Sequence, residues 1–296
     1  MNLMSRRKFL LTAATLPFVL RATVWASENM EIDSPQTKLA NLEKASGGRL
    51  GLYAINTGNG MVIGHRSEER FPMCSTFKVI LVAAILARSA KNEGFLQRRI
   101  HYEESDLVTY SPITEKHIIG GMTIAELCVA ALQYSDNTSA NLLMKVVGGP
   151  AEVTAYARSI GNDAFRLDRW ETELNTAIPG DPRDTVTPAA MADSLQSLAS
   201  GDALPQAQSK QLNEWLHGSI TGAKRIRAAV PADWQVGDKT GGGDYGTAND
   251  IAVLYPPGHR PIILAIYYTR EKQNTKLNND IIVDAARIVI EDFRPG

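Results

Sequence analysis

The run Val79-Ile80-Leu81-Val82-Ala83-Ala84-Ile85-Leu86-Ala87 offers no polar position to turn toward water, so it reads as a helix buried on every side. Directly ahead of it stands Pro72-Met73-Cys74-Ser75-Thr76-Phe77-Lys78. A proline is tolerated at a helix start, which places Ser75 in the first turn and Lys78 three residues on, on the same face. A serine hydroxyl is a weak nucleophile unless a base lies beside it. A lysine in an apolar or cationic setting can lose its proton and serve as that base. Amide N–H groups at the helix start can face an oxyanion.

By itself the Ser-x-x-Lys spacing means little, because about one instance is expected by chance in a chain of this size. A second instance, Ser5-Arg6-Arg7-Lys8, belongs to a different context. There the twin arginine precedes an apolar stretch, 9–20, and Val24-Trp25-Ala26 offers a small-x-small cleavage site. That arrangement resembles a bacterial export signal of the twin-arginine type over residues 1–26, with a periplasmic or secreted mature protein. The body of the chain holds no apolar run of transmembrane length, so no membrane association is expected after cleavage. A formal net charge of −1 over 296 residues gives no electrostatic footprint for nucleic acid. The five histidines show no zinc-ligand spacing, and no cofactor or metal is implied.

Periodicity places a helix over 35–46, then strands over 49–56 and 61–66 around Thr57-Gly58-Asn59-Gly60, a hairpin. Beyond the central helix, further helices fit 123–133, 138–147, 151–159, 187–200 and 206–217. Residues 166–188 carry no period, and a loop that long in a compact domain is usually functional or disordered. Strands return at 234–241, 249–255 and 261–269, and an amphipathic helix over 275–293 closes the chain. Strands at both ends with helices between them predict an α/β (α+β) fold: one antiparallel five-stranded sheet built from both termini, with an inserted helical lobe. The lobes are expected at 27–66 with 218–296 (α/β) and at 67–217 (helical), the site lying between them.

Three more stretches matter. Each has a plain structural explanation when taken alone. Ser135-Asp136-Asn137 interrupts two helices and consists of good N-caps. Lys239-Thr240-Gly241 could be a solvated lysine before a turn, and Arg169-Trp170-Glu171-Thr172-Glu173-Leu174-Asn175 an exposed acidic loop. In order, however, Ser-x-x-Lys, Ser-Asp-Asn, Glu-x-x-Leu-Asn and Lys-Thr-Gly resemble the class A serine β-lactamases over essentially the whole mature chain. Gly-Asp-Tyr-Gly-Thr-Ala-Asn-Asp after the last motif is most similar to their cefotaximase-like branch.

The resemblance implies hydrolysis of the β-lactam amide of penicillins and cephalosporins, extending on branch likeness to oxyimino-cephalosporins, and antibiotic resistance. Ser75 would form the acyl-enzyme, with the backbone N–H groups of Ser75 and Gly242 as oxyanion hole. Each such donor is worth about 2.7–4 kcal/mol. Ser135 would pass a proton to the leaving nitrogen, and Lys78 and Lys239 would keep the site electropositive. Glu171, with Asn175, would position the deacylating water. Whether Lys78 or Glu171 is the acylation base stays open. Asn137 would hold the substrate's amide side chain; Thr240, Gly241, Gly243 and Tyr110 would line the site. Arg169 and Asp184 would pair across the neck of the loop, and the peptide bond after Glu171 is expected to be cis. The partner is a small β-lactam, and the family is usually monomeric.

Several positions depart from the family's pattern. Ala248 stands where many members carry an arginine for the substrate carboxylate, and Asn278 where the cefotaximase branch often carries one. Arg225 matches an alternative arginine position and is the expected carboxylate partner. Cys74 and Cys128 each match half of a disulfide found in some members, but the partner positions are Gly243 and Val82, so no disulfide is expected. Two other readings share the serine and lysines: a D-alanyl-D-alanine peptidase, and a sensor domain that acylates once. Both lack a deacylating glutamate such as Glu171.

Overall fold

The computed structural model describes residues 34–294; the expected export signal, 1–26, lies outside the described residues. Helix α1 (Pro35–Ser46) begins where the Ser34 side chain accepts from Thr37 N, and it stops at Gly47 in the left-handed region, φ 66°. Strands β1 (Arg49–Asn56) and β2 (Val62–His65) form the expected hairpin. The chain returns to this sheet only after residue 234, as β3 (Gln235–Gly242), β4 (Ala248–Tyr255) and β5 (Ile262–Thr269). All pairings are antiparallel, in the order β2-β1-β5-β4-β3. First and last strands pair along their whole length, from Arg49 opposite Thr269 to Asn56 opposite Ile262.

Both faces of this sheet are covered, which explains why β5 reads Ile-Ile-Leu-Ala-Ile-Tyr-Tyr-Thr without alternation. Leu264, Ile266 and Tyr268 join one core with α1 and the closing helix α9 (Asp280–Phe293). Ile263, Ala265 and Tyr267 join the other, larger core. That core is centred on α2 (Lys78–Ser89), whose residues from Lys78 to Leu86 are all buried. Around α2 lie α3 (Ile124–Gln133), α4 (Asn137–Val147) and α5 (Pro150–Ser159). Helices α6 (Pro188–Ala199) and α7 (Gln206–His217) pack directly on the sheet, so this larger core runs without a break from one sheet face into the helices. A one-turn helix, α8 (Ile226–Ala229), follows Arg225.

Two expectations need correcting. Ser75 does not lie in the first α-helical turn: Cys74–Phe77 is a 3₁₀ turn and the α-helix starts at Lys78. At three residues per turn, positions 75 and 78 eclipse on one side, so the shared face survives. The closing helix starts at Asp280 rather than at 275, because Asn278 Oδ1 accepts from Asp280 N and ends the preceding loop. No helix among the described residues is long and apolar enough to cross a membrane. Both cysteines are buried, free thiols.

Candidate active site

The turn carrying Ser75 is fastened from both sides. Asn249 on β4 donates its Nδ2 to the carbonyls of Pro72 (2.8 Å) and Met73 (3.0 Å), and Thr76 Oγ1 donates to Met73 O (2.8 Å). Cys74, just before the serine, has φ 45°, a left-handed conformation that a non-glycine residue adopts only when its surroundings enforce it. The turn that carries the nucleophile is thus tied to the sheet.

Ser75 and Lys78 meet through a third group. Ser75 Oγ donates to Glu171 Oε1 at 3.4 Å, and Lys78 Nζ lies 3.0 Å from the same oxygen. Lys78 Nζ also donates to Ser135 O (2.9 Å) and Asn137 Oδ1 (2.7 Å). The orientation of the Asn137 amide follows from its other contact, Nδ2 to the carbonyl of Thr109 at 2.8 Å. Lys78 therefore faces three groups that only accept. An ammonium has three N–H donors and a neutral amine two, so the geometry is that of the charged form beside a carboxylate. Burial pushes the Lys78 pKa down, and Glu171 opposes that shift.

Ser135 sits between α3 and α4 at φ 59°, its carbonyl on Lys78 and its hydroxyl accepting from Lys239 Nζ at 3.0 Å. The fully buried carboxylate of Asp136 holds this strained connection. It caps α4 through Ser139 N and accepts from Ile113 N, Thr114 N and Thr114 Oγ1. Lys239 is fully buried on β3 and donates also to Thr240 O (2.7 Å). Burial lowers its pKa well below the usual lysine range, and the charge of Lys78 pushes the same way.

Glu171 arrives on the 166–188 loop. Its backbone is gripped by Asn141, which accepts from Glu171 N (3.0 Å) and donates to Glu171 O (2.9 Å). The Glu171–Thr172 peptide bond is cis, as expected. Asn175 Nδ2 donates to Glu171 Oε2 at 2.5 Å, while Asn175 Oδ1 is buried without a hydrogen-bond partner. At the neck, Asp184 accepts from Asp168 N (2.7 Å), Arg169 N (3.0 Å) and Arg169 Nε (2.5 Å).

A cleft of 320 Å³ opens onto this network, lined by Ser75, Tyr110, Ser135, Asn137, Asn175, Thr240, Gly241, Gly242, Arg225 and Thr221. Lys78, Glu171 and Lys239 stand just behind its wall. Arg225 is buried at the end beside Thr240. Its Nε donates to Asn279 Oδ1 (2.8 Å), and Nη1 donates to the carbonyls of Gly241 (2.6 Å) and Asn249 (2.5 Å). Asn279, not Asn278, is thus the asparagine on this guanidinium. Gly243 falls outside the lining. A side chain there would start 2.5 Å from Asn175 O and 2.8 Å from Cys74 Sγ, so Gly243 is packed between loop and turn. A larger depression of 1260 Å³ lies beyond loop residues 177–182, where Arg66 pairs with Glu43 and Glu69, and Arg49 with Glu69.

The arrangement brings a hydroxyl nucleophile, a carboxylate, two buried amines and an arginine to one cleft, a set suited to acyl transfer onto water. Sequence reading missed Asn141, Asn249, Thr221 and Asn279. Asn141 left a signal, since it lies one helical turn beyond Asn137 on the same face, and Asn249 stood in the branch-like stretch after Lys-Thr-Gly without its role being legible.

Comparison with known proteins agrees in extent. The model of the beta-lactamase enzyme family matches residues 34–293. Beta-lactamase OXY-1 of Klebsiella oxytoca is 52% identical over 287 residues, covering 97% of both chains. Beta-lactamase Toho-1 of Escherichia coli is 51% identical over 288 residues, covering 97% of this chain and 98% of its own. A solved beta-lactamase from Desulfarculus baarsii is 57% identical with a TM-score of 0.87, covering 88% of this chain and 98% of that one.

Proposed function

The chain belongs to the class A serine β-lactamases, on their cefotaximase-like branch, and from that premise we propose that it opens β-lactams through an acyl-enzyme on Ser75, which water activated by Glu171 then hydrolyses. β-Lactam hydrolysis and antibiotic resistance come with the family; the steps and residues are the proposal. The observation that carries it is the Glu171 carboxylate, which takes the Ser75 hydroxyl at 3.4 Å and the Lys78 ammonium at 3.0 Å on one oxygen.

Glu171 is the base for both half-reactions. The three acceptors around Lys78 favour its ammonium in the resting enzyme, and an ammonium cannot take the serine proton. Glu171 takes it, Ser75 attacks the strained carbonyl, and the backbone N–H groups of Ser75 and Gly242 hold the oxyanion. Ser135, whose hydroxyl accepts from Lys239 and whose carbonyl accepts from Lys78, hands its hydroxyl proton to the leaving nitrogen, and the proton held on Glu171 returns through Lys78 to Ser135, so the carboxylate is free again for deacylation. In deacylation, water donates to Glu171 and to Asn175 Oδ1, the acceptor without a protein partner. A peptidase or a one-turnover sensor has no use for such a pair.

Asn137 receives the substrate's amide side chain, Tyr110 forms the facing wall, and Gly241 and Thr240 take the ring end. Arg225 binds the carboxylate with Nη2, because Nε and both Nη1 donors are spent on the protein. Such a bond is worth roughly 1.5–3 kcal/mol. Substrates include penicillins, cephalosporins and, on branch membership, oxyimino-cephalosporins. The enzyme acts outside the cytoplasm, exported through the Arg6-Arg7 signal.

Intact-protein mass spectrometry with benzylpenicillin tests the mechanism. Wild type should consume substrate while staying unmodified, and Glu171→Ala should accumulate one adduct on Ser75. A long-lived adduct on the wild type would instead indicate a sensor or a peptidase, and no adduct on either would leave Ser75 a mere helix-start residue.

A further inference from the structure

The loop ahead of α9 delivers an apolar side chain to the carboxylate end of the cleft. A side chain at Gly242 would start 3.3 Å from Leu277 Cδ1 and 3.8 Å from Arg225 Nη2. Gly242 and Arg225 both line the cleft; Leu277 is not among the lining residues but places its methyl next to both, at the rim of that end. Leu277 is 40% exposed, so its side chain is open to a bound molecule. Its placement is not slack. Two residues on, Asn279 Oδ1 accepts from Arg225 Nε at 2.8 Å, and between them Asn278 Oδ1 accepts from Asp280 N at 3.0 Å. The segment that presents the leucine is therefore tied to the arginine that would hold the carboxylate.

Substrate chemistry says what such a methyl would meet. In a cephalosporin the carboxylate is on C4 and the variable substituent on C3, the adjacent ring carbon. Any site that fixes the carboxylate fixes the direction of that substituent. We propose that Leu277 is a specificity-determining residue of this enzyme, contacting the C3 substituent of cephalosporins and favouring apolar, aryl-bearing groups there. The inference rests on the reading of Arg225 and Thr240 as the carboxylate site. The contact is made equally in the bound and the reacting substrate, so it acts through KM.

Nitrocefin and cephalothin carry the same thienylacetyl side chain and differ at C3, one with a dinitrostyryl group and the other with the smaller, more polar acetoxymethyl. Leu277→Ala should lower the nitrocefin-to-cephalothin ratio of kcat/KM about fivefold, through KM, as expected for one lost apolar contact at a half-open site. Leu277→Met, of similar volume, should keep the wild-type ratio. Arg225→Ala, run beside them, should raise KM for both compounds alike. If it does so while Leu277→Ala leaves the ratio unchanged, the role of Leu277 is wrong and the carboxylate site stands. If Arg225→Ala leaves both KM values unchanged, the carboxylate site is wrong and the role of Leu277 goes with it. A ratio that falls as far in Leu277→Met as in Leu277→Ala also overturns the proposal.

Discussion

Lys239 shows how one residue's surroundings set a pH dependence. It is buried, its amine donates to Ser135 Oγ and Thr240 O, and both burial and Lys78 disfavour its charge. The sign follows directly. A destabilised ammonium loses its proton at lower pH than a free lysine, whose pKa is about 10.4. An electropositive site for a carboxylate substrate then weakens as pH rises, so kcat/KM should fall along an alkaline limb lying well below that value. Replacing Lys239 by arginine, which stays charged, should move the limb to higher pH whatever happens to the absolute rate. A limb unmoved in Lys239→Arg assigns it to Lys78, whose pKa burial also lowers. At this scale the sequence was informative about which side chains meet at the cleft and silent about what holds them. Ser75, Lys78, Ser135, Glu171 and Lys239 stand in motifs of fixed spacing. Asn249, which grips the turn before Ser75 from a strand about 175 residues away, stands in the branch-like stretch after Lys-Thr-Gly, but its role was illegible there, because it exists only once β4 lies beside that turn.

The 166–188 loop carries Glu171, on which the proposed deacylation depends, and its neck is its weak point. Asp184 is buried at φ 56° and satisfies two backbone N–H groups together with the Arg169 guanidinium. Asp184→Ala removes an acceptor from a half-buried arginine and two amides at once. Breaking a buried pair from one side costs about 3–5 kcal/mol. The loop should loosen and Glu171 lose its aim, so penicillin turnover should show a fast burst followed by a slow phase as acyl-enzyme accumulates. Asp184→Asn, which tolerates the left-handed backbone and keeps one acceptor, should fall between the two. An Asp184→Ala enzyme with wild-type deacylation would show that Asn141 alone positions Glu171. Most elements were legible because their periods are clean. The loop was legible only as an absence of period, and the start of α9 was misplaced because Thr275 to Leu277 look helical while Asn278 Oδ1 takes the Asp280 N–H and ends the loop there.

The sheet joins the first and last strands and stands between the two cores, so the molecule should unfold as one cooperative unit even if its helices form a separate lobe. Alternation in β5 sends Ile263, Ala265 and Tyr267 to the helical core and Leu264, Ile266 and Tyr268 to the core under α9. No lobe can lose its helices without stripping one face of the strands that pair the other. Ile282, fully buried where α9 meets the sheet, lies across the sheet from Ser75 and Lys239. Ile282→Ala should cost about 2–5 kcal/mol, as large-to-small changes in cores do. For a domain of this size that is a fall in Tm of roughly 5–15 °C. Because the substitution touches no group at the cleft, kcat and KM at room temperature should stay at wild-type values. Circular dichroism and residual activity, followed through the same melt, should give one midpoint in both proteins, as a single cooperative transition requires. Activity lost well before secondary structure would mean that the helical lobe opens on its own, and that the sheet couples the two cores less tightly than its shared strands imply.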